Sequence, residues 1–130
     1  MQRALRLFEW RFPMVIADLL AMPADRPIIA EGFGLTPVLV QPHLPAKHHA
    51  IWFVPTEKFK RDSMERRGKP SWSNAVRDPA KGKYNLFTRD MLLADHIAAE
   101  VQAHGGRLVE IDGSQSRAAL VDLVAGHFQF

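Results

Sequence analysis

Three short apolar runs constrain this chain more than anything else in it. They are Ile28-Ile29-Ala30-Glu31, His49-Ala50-Ile51-Trp52-Phe53-Val54 and Arg107-Leu108-Val109-Glu110-Ile111. Each ends at a turn signal: Gly32 and Gly34 after the first, Pro55 after the second, Asp112-Gly113 after the third. Runs of this kind read as buried strands, and helical stretches lie between them. Strands that alternate with helices imply an α/β fold with a parallel sheet of about three strands flanked by helices. No internal repeat, low-complexity tract or linker divides the 130 residues, so residues 1–130 read as a single domain, long enough to bury a core.

The helices follow from periodicity and end signals. From about Arg3 to Met22, apolar residues recur at Leu5, Phe8, Phe12, Val15, Ile16, Leu19 and Leu20, with Pro13 either kinking one helix or opening a second. Trp10 falls within this stripe and reads as core. Thr36-Pro37 opens a short helix to about Val40, with Thr as N-cap and Pro in the first turn. Thr56 and Glu57 open another, which runs to Gly68. Lys69 to Lys83 is basic and broken by Pro70, Pro79 and Gly82, the composition of a mobile flap. The longest helix spans about Tyr84 to His104 and stops at Gly105-Gly106; a last one follows Ser116 and reaches Gly126 or His127.

Charge is unevenly spread. Between Lys58 and Arg89 stand ten Lys or Arg against three Asp or Glu, a local balance of +7, while the rest of the chain sums to −4. Such a block implies an anionic partner, or else a solvated helix face. The absence of cysteine excludes disulfides, thiolate metal sites and a cysteine nucleophile, and fits a reducing, cytoplasmic setting. No apolar run reaches the ~18 residues of a membrane span, so no membrane partner is expected.

Few residue constellations carry chemistry by themselves. Glu31 ends the first run, and in an open parallel sheet ligands gather beyond the strands' carboxyl ends; the alternative is a solvated loop carboxylate. His48 and His49 are adjacent, so on a strand they point to opposite faces and cannot share one metal ion. No serine lies in a G-x-S-x-G elbow. Trp72, in the flap, is placed to stack on a ligand.

The order of these features resembles a known family. A strand ends in Glu31-Gly32-Phe33, a second ends in Val54-Pro55, and an arginine-bearing helix and a basic segment at about 58–89 come after it. The Arg89-Asp90 pair comes next, then a strand running into Ile111-Asp112-Gly113-Ser114-Gln115-Ser116 and a helix. This arrangement, over about residues 15 to 128, resembles the C-terminal two-thirds of a P-loop kinase of the adenylate kinase and shikimate kinase type. The resemblance implies a partial, three-layer P-loop NTPase fold, a nucleotide and a small-molecule acceptor as ligands, and ATP with Mg²⁺ as cofactors. It implies that Glu31 holds Mg²⁺ through water or orients the acceptor. Arg66, with Arg61 or Arg67, and Arg89 would neutralise the phosphoryl group in flight, and segment 58–89 would act as a lid. Gly113, Ser114 and Gln115 would line the nucleotide base. Arg61 lies about one residue out of the family register.

Phosphoryl transfer asks for these residue types. It needs cations around the equatorial oxygens, a metal bridge and exclusion of water, and arginine's fork suits phosphate. One departure limits the reading: no GxxxxGK[ST] occurs anywhere in the chain. That loop supplies the phosphate cradle, the lysine and the Mg²⁺-binding hydroxyl. In the family it comes after a central strand, which would lie between residues 28–31 and 50–54. The expectation is therefore a truncated or degenerate kinase, incomplete as this chain, with either an open slot in the sheet or two flanking strands closed together. A homo-oligomer or partner chain filling the missing strand would make it a non-catalytic interaction protein instead. A nucleic-acid-binding module using the basic segment is the other alternative, but no helix-turn-helix, RRM, KH or zinc signature supports it.

Overall fold

The computed structural model describes residues 2–46, 49–68 and 74–129. The elements in order are α1 (Gln2–Ala21), α2 (Pro37–Val40), a 3₁₀ turn (Gln41–His43), β1 (Ile51–Pro55), α3 (Glu57–Arg66), α4 (Pro79–His104), β2 (Arg107–Ile111) and α5 (Arg117–Phe128). The fold is α/β and mostly helical. Its sheet is a parallel pair, β1 with β2, in the register Ile51 to Arg107 through Pro55 to Ile111. Among the described residues no helix is long and apolar enough to cross a membrane.

The core lies on one face of this pair. In a strand alternate residues share a face, and Trp52 and Val54 turn theirs onto Ala94, Ile97 and Val101 of α4. Those three recur at helical spacing, so one side of α4 is a continuous apolar strip. Val40, Ala50, Met91 and Leu93 pack around its margin. α2 is fastened beside it by three polar contacts: Val38 N–H donates to Glu100 Oε2 at 3.1 Å, Trp52 Nε1 to the Leu35 carbonyl at 2.9 Å, and the Gln41 amide to the Gly105 carbonyl. α1 meets the rest through Phe12, whose ring is tilted against His43 at 5.4 Å, and Phe8, edge-on to Phe33 at 5.5 Å.

Several expectations change. Residues 28–31 form no strand, so among the described residues the sheet has two strands rather than about three. The reason is pairing. A strand persists when a neighbour satisfies its backbone, and this stretch has none, leaving Ile29 67% exposed. α1 is one helix through Pro13, which sits on its exposed side. Trp10 is exposed, not core. α4 begins five residues early, at Pro79, because Asp78 caps it by accepting from Lys81 N–H at 3.0 Å and Pro79 fits the first turn. The end of the expected flap is thus helix. Lys69 to Ser73, with Trp72, lie outside the described residues, as does His48.

Candidate functional site

The two parallel strands end together, and the segments leaving them meet at that end of the sheet. After β1, Thr56 donates its N–H to the Ile111 carbonyl at 2.9 Å, crossing to the last residue of β2. The same threonine caps α3, its hydroxyl accepting from Phe59 N–H at 3.1 Å. After β2 the chain turns through Asp112, Gly113 and Ser114. Asp112 Oδ1 accepts from the Ser114 N–H at 2.8 Å and from its hydroxyl at 2.6 Å, closing an Asx turn. Those two bonds, the hydroxyl first, hold the Asp112 carboxyl below the usual carboxylate range. Gly113 has φ +89°, and a Cβ there would stand 2.9 Å from Phe59 Cδ2, so the loop lies directly on α3. Glycine is required twice over, by the backbone angle and by the ring.

α3 is also joined to the first half of α4. Lys60 Nζ sits 2.6 Å from Asp90 Oδ2, with both side chains mostly covered. Arg61 lies over the Phe87 ring, 4.6 Å from its centroid. Arg61 also pairs with Glu57 at 2.6 Å, and Arg89 pairs with Asp90 at 2.6 Å. Lys58 and Asp62 pair at 2.7 Å along the exposed side of α3; their hydrogen bond raises the lysine's pKa and lowers the aspartate's.

The residues named from the sequence separate into three groups. Gly113, Ser114 and Gln115 form the loop against α3, with Ser114's hydroxyl engaged by Asp112 and Gln115 exposed. Arg61 and Arg89 stand on the two joined helices, each already ion-paired. Arg66 ends α3 and Arg67 is its C-cap; both are exposed and make no ion pair with the described residues. Glu31 lies in exposed coil, with no hydrogen bond, ion pair or ring contact to α3, α4 or the 112–116 loop among the described residues. Among the described residues no three His, Asp or Glu side chains converge on a metal position.

Sequence reasoning missed Phe59, Lys60, Asp90 and Asp112 as structural partners of the site. Asp90 and Asp112 were visible inside Arg89-Asp90 and Asp112-Gly113-Ser114, where an acid beside a cation or a turn glycine is the signal. Two adjoining clefts of about 510 and 540 Å³ run between α4 and β2, sharing Asp95, Ala98 and Leu108. None of the sequence-named site residues lines either cleft. The chain matches no protein-family model, no curated protein and no solved structure.

Proposed function

We propose that this chain is the base- and lid-bearing part of a P-loop kinase-like domain, built to transfer a phosphoryl group from ATP to a small acceptor. One observation carries the reading. The strands are parallel neighbours whose carboxyl ends lead, on one side, into a helix bearing Arg61, Arg66 and Arg67 and, on the other, into the Gly113 loop packed on that helix. Arg89 belongs to the same assembly through Asp90 and Lys60.

The fit to the cofactors is partial. Arg66 and Arg67, unpaired at an exposed helix end, suit the outer oxygens of a polyphosphate, and the 113–115 backbone suits a flat base. The sequence contains no phosphate-cradling GxxxxGK[ST], and among the described residues Glu31 belongs to no cluster of three or more His, Asp or Glu side chains. One carboxylate is enough for Mg²⁺ only where phosphates complete the coordination. No phosphoryl step is therefore assigned to this chain alone. The exposed, unpaired stretch 28–31 supports the same conclusion, since a strand with a phosphate loop laid between it and β1 would pair both.

The test supplies that segment. A strand, phosphate loop and first helix joined ahead of residue 1 are expected to confer Mg-dependent ATP turnover. In that background Glu31→Gln and Arg89→Ala should each reduce turnover by ~10²-fold or more, the scale of a lost transition-state charge stabiliser. Full turnover in both variants removes those residues from the site; no turnover in a folded, completed protein removes the kinase reading.

A further inference from the structure

We infer that the outer face of α1 docks a second copy of this chain as an antiparallel, two-fold helix pair centred on Met14. α1 carries two apolar stripes. The inner one, with Phe8 and Phe12, holds the helix to residues 33–43. The outer one comprises Leu7, Trp10 and Met14, which are 44%, 75% and 60% exposed, continued by exposed Ala17 and Ala21. At about 100° per residue these five positions fall within an arc of about 80°, one narrow row along the helix. A tryptophan three-quarters in water at the middle of such a row marks a contact surface, unlike isolated apolar residues scattered over an exterior.

The row is graded in size, and the grading selects the partner. Leu7 and Trp10 occupy its amino-terminal half, Ala17 and Ala21 its carboxyl-terminal half, and Met14 its middle. An antiparallel copy related by a two-fold at Met14 brings together residues whose numbers sum to about 28. Leu7 then rests on Ala21 of the second copy, Trp10 on its Ala17, and Met14 on its own counterpart. Parallel pairing would set tryptophan against tryptophan and alanine against alanine, leaving steric conflict at one end and voids at the other.

Charge agrees with the same register. A two-fold antiparallel pair brings the same flank of both helices together, and that flank carries Arg11 and Asp18. Both are exposed, and neither has an ion-pair or hydrogen-bond partner among the described residues. At a register sum near 28, Arg11 faces Asp18 of the second copy, and the symmetry repeats the pair. The overlap of residues 7–21 spans about 21 Å of helix, smaller than a standard interface, so association is concentration-dependent.

Sedimentation equilibrium of the full chain tests this. The weight-average mass should rise with concentration from 14.7 kDa towards twice that value, and Trp10→Glu should abolish the rise. Arg11→Asp and Asp18→Arg should each weaken association by about tenfold, and the double change should restore it. The chain has no cysteine, so Met14→Cys reports the register directly. It should form a disulfide-linked dimer on mild oxidation, Leu7→Cys should not, and Leu7→Cys with Ala21→Cys should. All these positions are exposed, and a wild-type circular dichroism spectrum is required of each variant before its mass is read. A mass of 14.7 kDa at every concentration overturns the inference, as does a dimer indifferent to Trp10→Glu. Leu7→Cys cross-linking as readily as Met14→Cys would also overturn it. So would a chain that stays monomeric in water but sediments with anionic phospholipid vesicles through Trp10.

Discussion

Asp112 organises the loop after β2 with a single oxygen, which takes both the hydroxyl and the N–H of Ser114. Both bonds favour the charged form, so the folded pKa lies below the unfolded one. For a depressed carboxylate the stabilisation is fully present above the unfolded pKa and is lost as pH falls through the folded pKa. The group is exposed, so the consequence is local: acid loosens the loop and leaves the fold intact. An NMR titration should place the Asp112 midpoint below the ordinary aspartate value, and Ser114→Ala should move it back up. An unmoved midpoint would mean that the hydroxyl is not the cause. Because Gly113 lies against Phe59, the same titration should perturb the Phe59 ring signals.

Lys60 and Asp90 are the ionic link between α3 and α4, 22% and 20% exposed in their side chains. Removing Asp90 leaves the Lys60 ammonium without its carboxylate in a partly covered site, whereas removing Lys60 leaves Asp90 paired with Arg89 alone. Lys60→Met and Asp90→Asn should each cost about 1–2 kcal/mol in urea unfolding, with the double variant costing clearly less than the sum. Simple additivity would show that the two are not coupled. This link was hidden in the sequence because it depends on how two helices thirty residues apart cross. The contacts of Arg61 with Glu57 and Arg89 with Asp90 were legible, being four residues and one residue apart. Helices were readable from their caps, β1 and β2 from their apolar runs. Residues 28–31 were not, since their composition suits a strand but pairing makes one. Trp10 failed for another reason: a helix with two apolar stripes does not announce which one faces inward. The early start of α4 could have been read from Asp78-Pro79, had the lysines and Gly82 behind it not looked like a flap.

At the scale of the molecule, packing is concentrated on one side of a two-stranded sheet. Trp52, Val54, Ala94, Ile97 and Val101 form the buried cluster, all from β1 and α4. On the opposite face Phe53 is 42% exposed, and α5 has no buried residue. His127 ties α5 back to the sheet, its Nε2 2.9 Å from the Ala50 carbonyl and its Nδ1 3.4 Å from Arg107. Local stability tracks buried apolar contact, so the molecule should open in stages. Native-state hydrogen exchange should give β1 and the 91–101 part of α4 the highest protection, with α5 opening at a clearly lower free energy. Ile97→Ala leaves a cavity in the cluster and should cost about 2–4 kcal/mol, lowering protection throughout. Val121→Ala, on the exposed side of α5, should change stability by less than about 0.5 kcal/mol. If α5 and α4 instead exchange at one common free energy, the chain is a single cooperative unit and staged opening is ruled out.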